Sequence, residues 1–128
     1  MSEPTTSAVR KRVLLIDDEP LLLKSIARMI RSDHDTVLAF GGDKALETLA
    51  EDSNYDAIIC DLMMPKVDGV QIYAALEESY PKLVPKLIFL SGGVFHERMT
   101  SFLEERELTL LDKPVGRVQL LEAIAAVG

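Results

Sequence analysis

The sequence predicts an α/β fold, a (βα)5 three-layer sandwich whose parallel sheet is covered by helices on both faces. Three observations predict it. The runs VLLI (13–16), AIIC (57–60), LIFL (87–90) and LTLL (108–111) are short and nearly free of polar interruptions, as expected of strands buried on both sides. Segments of helical spacing separate them. Strand and helix then alternate five times, the pattern of a doubly wound parallel sheet.

The elements follow in order. MSEPTTSAVRKR is polar and has no apolar core of a signal peptide, so residues 1–10 read as a flexible tail. VLLI is the first strand. A helix follows near Pro20, a residue suited to the first helical position, with Leu22, Ile26, Met29 and Ile30 as its apolar stripe. TVLAF (36–40) is a second, weaker strand. Ala45, Leu46 and Leu49 mark the second helix, and EDSNYD (51–56) ends it and turns toward the third strand, AIIC. Val70, Ile72, Tyr73 and Leu76 fit a third helix before LIFL. Phe95, Met99, Phe102 and Leu103 fit a fourth before LTLL, and Leu120, Leu121, Ile124 and Val127 a fifth. Residues 11–128 therefore read as one domain.

Composition narrows the function. A formal net charge of −7 over 128 residues argues against direct nucleic-acid binding, which needs a basic face. No apolar stretch approaches the roughly 20 residues that span a bilayer. Cys60 is the only cysteine, so no intrachain disulfide forms, which suits a reducing cytoplasm; the thiol reads as a small apolar core residue. His34 and His96 stand apart in the sequence and read as surface residues.

Open parallel sheets bind ligands outside the carboxyl ends of their strands. Asp17, Asp18 and Glu19 follow the first strand, Asp61 the third, Ser91, Gly92 and Gly93 the fourth, and Asp112, Lys113 and Pro114 the last. All should open on one rim. Asp17, Asp18 and Asp61 together repel, since two unit charges about 4 Å apart cost about 4 kcal/mol at an effective dielectric near 20. Such a site attracts a hard cation, and Mg²⁺ suits one or two carboxylates, waters and a phosphate oxygen. Lys113 supplies a point charge for a phosphoryl group, Ser91 a hydroxyl, and the glycines close backbone approach. A carboxylate can itself accept a phosphoryl group, and Asp61, on the central strand, is the candidate. Each feature also has a plainer use: Asp17 and Asp18 as helix caps, Ser-Gly-Gly as a turn, Lys113 as a solvated lysine, Met63 and Met64 as loop and packing residues. Only their joint order along the chain favours the site.

These residues resemble the receiver domain of two-component response regulators, through the acidic pair in LLIDDEP, the acceptor in CDLMMPKVDG, the hydroxyl in LSGG and the lysine in LDKP. Ser91 follows Asp61 by 30 positions and Lys113 follows Ser91 by 22, spacings receivers commonly show. The resemblance covers nearly the whole chain after residue 11. It implies a flavodoxin-like sheet of order 2-1-3-4-5 and a cis Lys113–Pro114 bond. Asp61 would take a phosphoryl group from a histidine kinase or a histidine phosphotransfer protein. Asp17, Asp18, Asp61 and the backbone carbonyl of Met63 would hold Mg²⁺, Ser91 would move onto the phosphoryl group, and Lys113 would pair with it. The implied protein is a regulator acting on a downstream protein, with at most self-phosphorylation and autodephosphorylation as intrinsic activity. FLSGGVFHERMTSFLEE also resembles receivers of hybrid histidine kinases, so a receiver passing its phosphoryl group onward is the alternative.

Three positions depart from the family pattern or refine it. Receivers usually carry an aromatic residue three positions before the lysine; here it is Leu110, which has no ring to turn inward. The expected output is instead the fourth loop and helix, from SGGVFHE. Met63 and Gly93, two positions beyond acceptor and hydroxyl, have no polar side chain to orient water, so the phosphoryl group should not hydrolyse unusually fast. An aspartate-nucleophile phosphohydrolase would place its nucleophile in a DxD motif after the first strand, where this chain has DDEP. A pseudo-receiver would lack part of the five-residue set.

Overall fold

Five parallel strands in the order β2-β1-β3-β4-β5 form the sheet, as expected. The computed structural model describes residues 9–92 and 97–127. The strands are β1 (Arg12–Asp17), β2 (Asp35–Phe40), β3 (Ala57–Asp61), β4 (Leu87–Ser91) and β5 (Thr109–Asp112). The helices are α1 (Pro20–Ile30), α2 (Gly42–Glu51), α3 (Gly69–Ser79), α4 (Glu97–Glu104) and α5 (Arg117–Ala126).

Side chains alternate across a strand, so a sheet covered twice needs apolar residues at every position. Leu14, Ile16, Ile58, Cys60 and Phe89 pack with Ala45 and Leu49 of α2, Ile72 and Leu76 of α3, and Met99 and Phe102 of α4. Val13, Leu15, Ile59, Ile88 and Leu90 pack on the other face with Leu23 and Ile26 of α1 and Leu120 and Ile124 of α5. The two cores account for the unbroken apolar runs. The edge strand β5 departs from that expectation: its positions alternate between half-buried and exposed, and Leu110 is 36% exposed.

Pro20 is the first residue of α1, as expected. The buried stripe of that helix is Leu23, Ile26 and Ile30, with Leu22 and Met29 half-buried at its rim. Asp68 opens α3 through a reciprocal cap: the Gln71 N–H donates to Asp68 Oδ1, and the Asp68 N–H to Gln71 Oε1. A 3-10 turn, Pro81–Lys86, which periodicity does not announce, connects α3 to β4. Lys113–Pro114 is cis.

His34 is not a surface residue. It is buried at the amino end of the sheet, where its Nδ1 accepts the Lys11 N–H at 3.1 Å. The same corner holds Arg10, whose guanidinium donates to Asp35 Oδ1 and to the carbonyls of Arg31 and Ser32. Residues 1–8 of the expected tail, together with Gly93, Phe95 and His96, lie outside the described residues. No helix among the described residues is long and apolar enough to cross a membrane.

Candidate functional site

Asp17, Asp61 and Ser91 are the last residues of β1, β3 and β4. Strand ends in a parallel sheet deliver consecutive residues to one rim, so the sheet brings together what the sequence separates by dozens of positions. All three are almost fully buried, at 1%, 5% and 1% exposure. Asp18, one residue past β1, is exposed. One carboxylate oxygen from each of Asp17, Asp18 and Asp61 lies within 4.8 Å of the others.

Lys113 reaches into this cluster. Its Nζ stands 3.1 Å from Asp61 Oδ1 and 3.5 Å from Asp17 Oδ2. The backbone fixes where the lysine starts: its N–H donates to the Ser91 carbonyl at 2.8 Å, extending the β4–β5 ladder past its last pair, Ser91 and Asp112. Ser91 and Lys113 are therefore neighbours across adjacent strand ends. Asp17 also accepts the Glu19 N–H on Oδ1 at 2.9 Å. The capping use survives in that one bond, while Glu19, the residue before α1, makes no side-chain cap.

The electrostatics record the crowding. Burial, and then the neighbouring Asp17, push the Asp61 carboxyl up to about 6, against the pull of Lys113. Burial likewise raises Asp17. Lys113 is disfavoured by its own burial, yet Asp61 and Asp17 outweigh that and hold its pKa above the ordinary value. Buried like charges raise a carboxyl pKa because ionising both costs more than ionising one.

A cleft of ≈ 370 Å³ opens over the cluster, lined by Asp18, Glu19, Asp61, Met63, Gly92 and Lys113. Three clustered carboxylates are hard oxygen donors with room left for water, the donor chemistry that suits Mg²⁺, and the raised Asp61 and Asp17 are groups a cation would relieve. The residues present fit that ion. Sequence reasoning assigned no role to Glu19, although the third acid of DDEP was visible beside the pair. Cys60, expected in the core, is there: it is fully buried, its Sγ 3.2 Å from the Asp61 carbonyl, and burial pushes its thiol well up.

Comparison with known proteins agrees with this geometry. The family model described as "response regulator receiver domain" matches residues 13–125. The sensor protein TorS of Escherichia coli (strain K12) is 31% identical over 89% of this chain, which spans 12% of TorS. The response regulator MprA of Mycobacterium ulcerans (strain Agy99) is 32% identical over 91% of this chain, which spans 49% of MprA. The chain thus spans less than half the length of these curated relatives. A crystal structure of a response regulator receiver domain protein from Clostridium thermocellum superposes with a TM-score of 0.78 at 28% identity, covering 88% of this chain and 90% of that one.

Proposed function

The chain belongs to the response regulator receiver domain family, and from that premise we propose that it is a two-component phosphoacceptor switch with Asp61 as the acceptor. The observation that carries the assignment is the contact of Lys113 Nζ with Asp61 Oδ1 at 3.1 Å, inside a cluster completed by Asp17 and Asp18. The candidate nucleophile Asp61, the Lys113 ammonium and the acidic residues Asp18 and Glu19 line one cleft, with Asp17 buried beside them.

An Asp61 oxygen attacks the phosphorus of a kinase or phosphotransfer protein's phosphohistidine. The new P–O bond forms as the P–N bond breaks, and the electron pair leaves with the imidazole. Asp17, Asp18, Asp61 and the Met63 carbonyl would hold Mg²⁺, which would supply charge neutralisation for the phosphoryl oxygens. Lys113 turns from carboxylate to phosphoryl oxygen, and the Ser91 hydroxyl serves a second oxygen. The acyl phosphate adds about −1.5 to −2 charges to the rim. Its regulatory effect runs through contact with a downstream protein rather than through substrate turnover, in a cytoplasmic setting that suits the lone buried thiol.

Incubation with Mg²⁺ and acetyl phosphate tests the reading. A phosphoryl mass gain absent from Asp61→Asn is expected. No gain at all points to a pseudo-receiver, and rapid phosphomonoester turnover to a hydrolase; either sinks the proposal. A second reading, a receiver that hands its phosphoryl group onward, is favoured by the likeness to a sensor protein of which this chain spans 12%. Transfer of label from phosphorylated Asp61 to a histidine phosphotransfer protein separates it from a terminal switch.

A further inference from the structure

Phe89 lies two residues before Ser91 on β4, so the pleat puts both on one face of the sheet. Its ring is fully buried and meets Phe102 of α4 edge-on, with centroids 6.2 Å apart at 73°. Phe102 in turn meets Tyr73 of α3 at 5.1 Å and 86°. Arg106, just past α4, closes the stack: its guanidinium carbon lies 4.3 Å over Phe102 and 5.1 Å from the Tyr73 ring centroid. These geometries are favourable aromatic and cation–π arrangements.

The inner end of the stack touches the acceptor loop. A Cβ placed on Gly69 would come within 2.8 Å of Phe89 Cε1 and 2.9 Å of Leu62 Cα. The Gly69 N–H donates to the Leu62 carbonyl at 2.9 Å, closing the loop that begins directly after Asp61. Phe89 is therefore pressed on one side by the closure of that loop and on the other by α4. The outer end lines a groove of ≈ 460 Å³ between α3 and α4, bounded by Val70, Gln71, Ala74, Ser101, Phe102 and Arg106 among others. Leu110 pairs with Phe89 in the β4–β5 register, but it is aliphatic and 36% exposed.

We propose that the Phe89–Phe102–Tyr73 stack, capped by Arg106, carries the phosphorylation state of Asp61 to the α3–α4 groove, taking the role for which Leu110 has no ring. The proposal rests on the phosphoacceptor reading above. Packed interiors have little free volume, so a shift of the acceptor loop or of Ser91 displaces Phe89, and the rings beyond it must re-seat. Phe102 is in this sense a positioning residue, with no contact to the reacting atoms.

The test is NMR of the labelled chain with and without Mg²⁺ and acetyl phosphate, with phosphorylation followed by mass. Ring signals of Tyr73 and Phe102 and amide signals of Ala74 and Arg106 should change on phosphorylation, and the Leu110 methyls much less. Phe102→Leu keeps an apolar side chain but removes the ring; Asp61 should phosphorylate to the same extent while the groove response falls about twofold or more. Phe102→Tyr should restore it. Arg106→Gln, at a side chain one-third exposed, weakens the response without opening the core and stands in if Phe102→Leu fails to fold. An undiminished groove response in both Phe102→Leu and Arg106→Gln, or a response confined to Leu110 and α5, overturns the relay. A mass gain with a silent groove overturns the relay alone, whereas no mass gain in the unaltered chain overturns the phosphoacceptor reading and the relay with it.

Discussion

Lys113 bridges two buried carboxylates, 3.1 Å from Asp61 and 3.5 Å from Asp17, and so neutralises part of the negative field that would draw a divalent cation. The lysine and the cation therefore compete for the same negative field. Replacing Lys113 with methionine keeps the apolar stem and removes the charge. Mg²⁺ affinity should rise about three- to tenfold, up to about 1.4 kcal/mol, because the side chain is partly exposed and its field partly screened. Calorimetric titration of both proteins measures this, and unchanged or weaker binding in Lys113→Met would show that the lysine does not oppose the ion.

Asp61 gives a pH-dependent stability with a definite sign. Its carboxyl is raised from 3.8 to about 6 by burial and by Asp17, so the folded chain holds the proton more tightly than the unfolded chain does. That stabilising contribution is full below 3.8 and is lost as pH rises through about 6. Asp61→Asn, neutral at every pH, should therefore be the more stable protein at pH 7.5 in chelator, by on the order of 1–3 kcal/mol. The difference should shrink as pH falls through 6. Urea unfolding on either side of that value checks it; an advantage that does not vary with pH would assign the effect to something other than the carboxyl.

The rim residues were legible because each sits beside a feature that local pattern does encode. A strand covered on both faces writes an uninterrupted apolar run, and Asp17, Asp61 and Ser91 are the residues that end three such runs. Other features depend on partners that no local pattern names. His34 is buried because its Nδ1 meets a backbone N–H 23 positions earlier. In α1, Leu22 and Leu23 are equally apolar, and only the angle at which the helix lies on the sheet selects Leu23 for the core. β5 looks like a doubly covered strand in sequence, but its edge position leaves one side without a neighbouring strand. The aromatic stack draws its rings from β4, α3 and α4, so it exists only once those elements are packed.

The buried histidine predicts a second pH effect, opposite in sign to that of Asp61. Burial lowers the His34 pKa below 6.5; Lys11 and Arg10 add to the shift, and Asp33 and Asp35 oppose it. The folded chain thus binds the proton less readily than the unfolded chain, so this contribution is present above 6.5 and is lost as pH falls toward the lowered value. His34→Ala leaves the Lys11 N–H without its acceptor and should cost about 1–3 kcal/mol at pH 7.5. The gap between the two proteins should narrow as the medium is acidified. A gap that is constant from pH 7.5 to 5 would mean that the imidazole contributes shape and not its neutral nitrogen.

Gly69 tests the packing on which the acceptor loop depends. Alanine is ordinarily the better helix residue by about 1 kcal/mol, so an isolated α3 would gain from Gly69→Ala. Here the added Cβ would meet Leu62 Cα at 2.9 Å and Phe89 Cε1 at 2.8 Å. The first is backbone and the second is a ring held by Phe102, so neither can swing aside. Overpacking should win, with a net loss of about 1–3 kcal/mol in urea unfolding. Gly92→Ala is the control, since no neighbouring atom among the described residues lies within 4 Å of its Cβ position, and its stability should barely change. Equal effects at the two glycines would mean that α3 can slide away from β4, and a loop backed by a helix that slides could not press on Phe89.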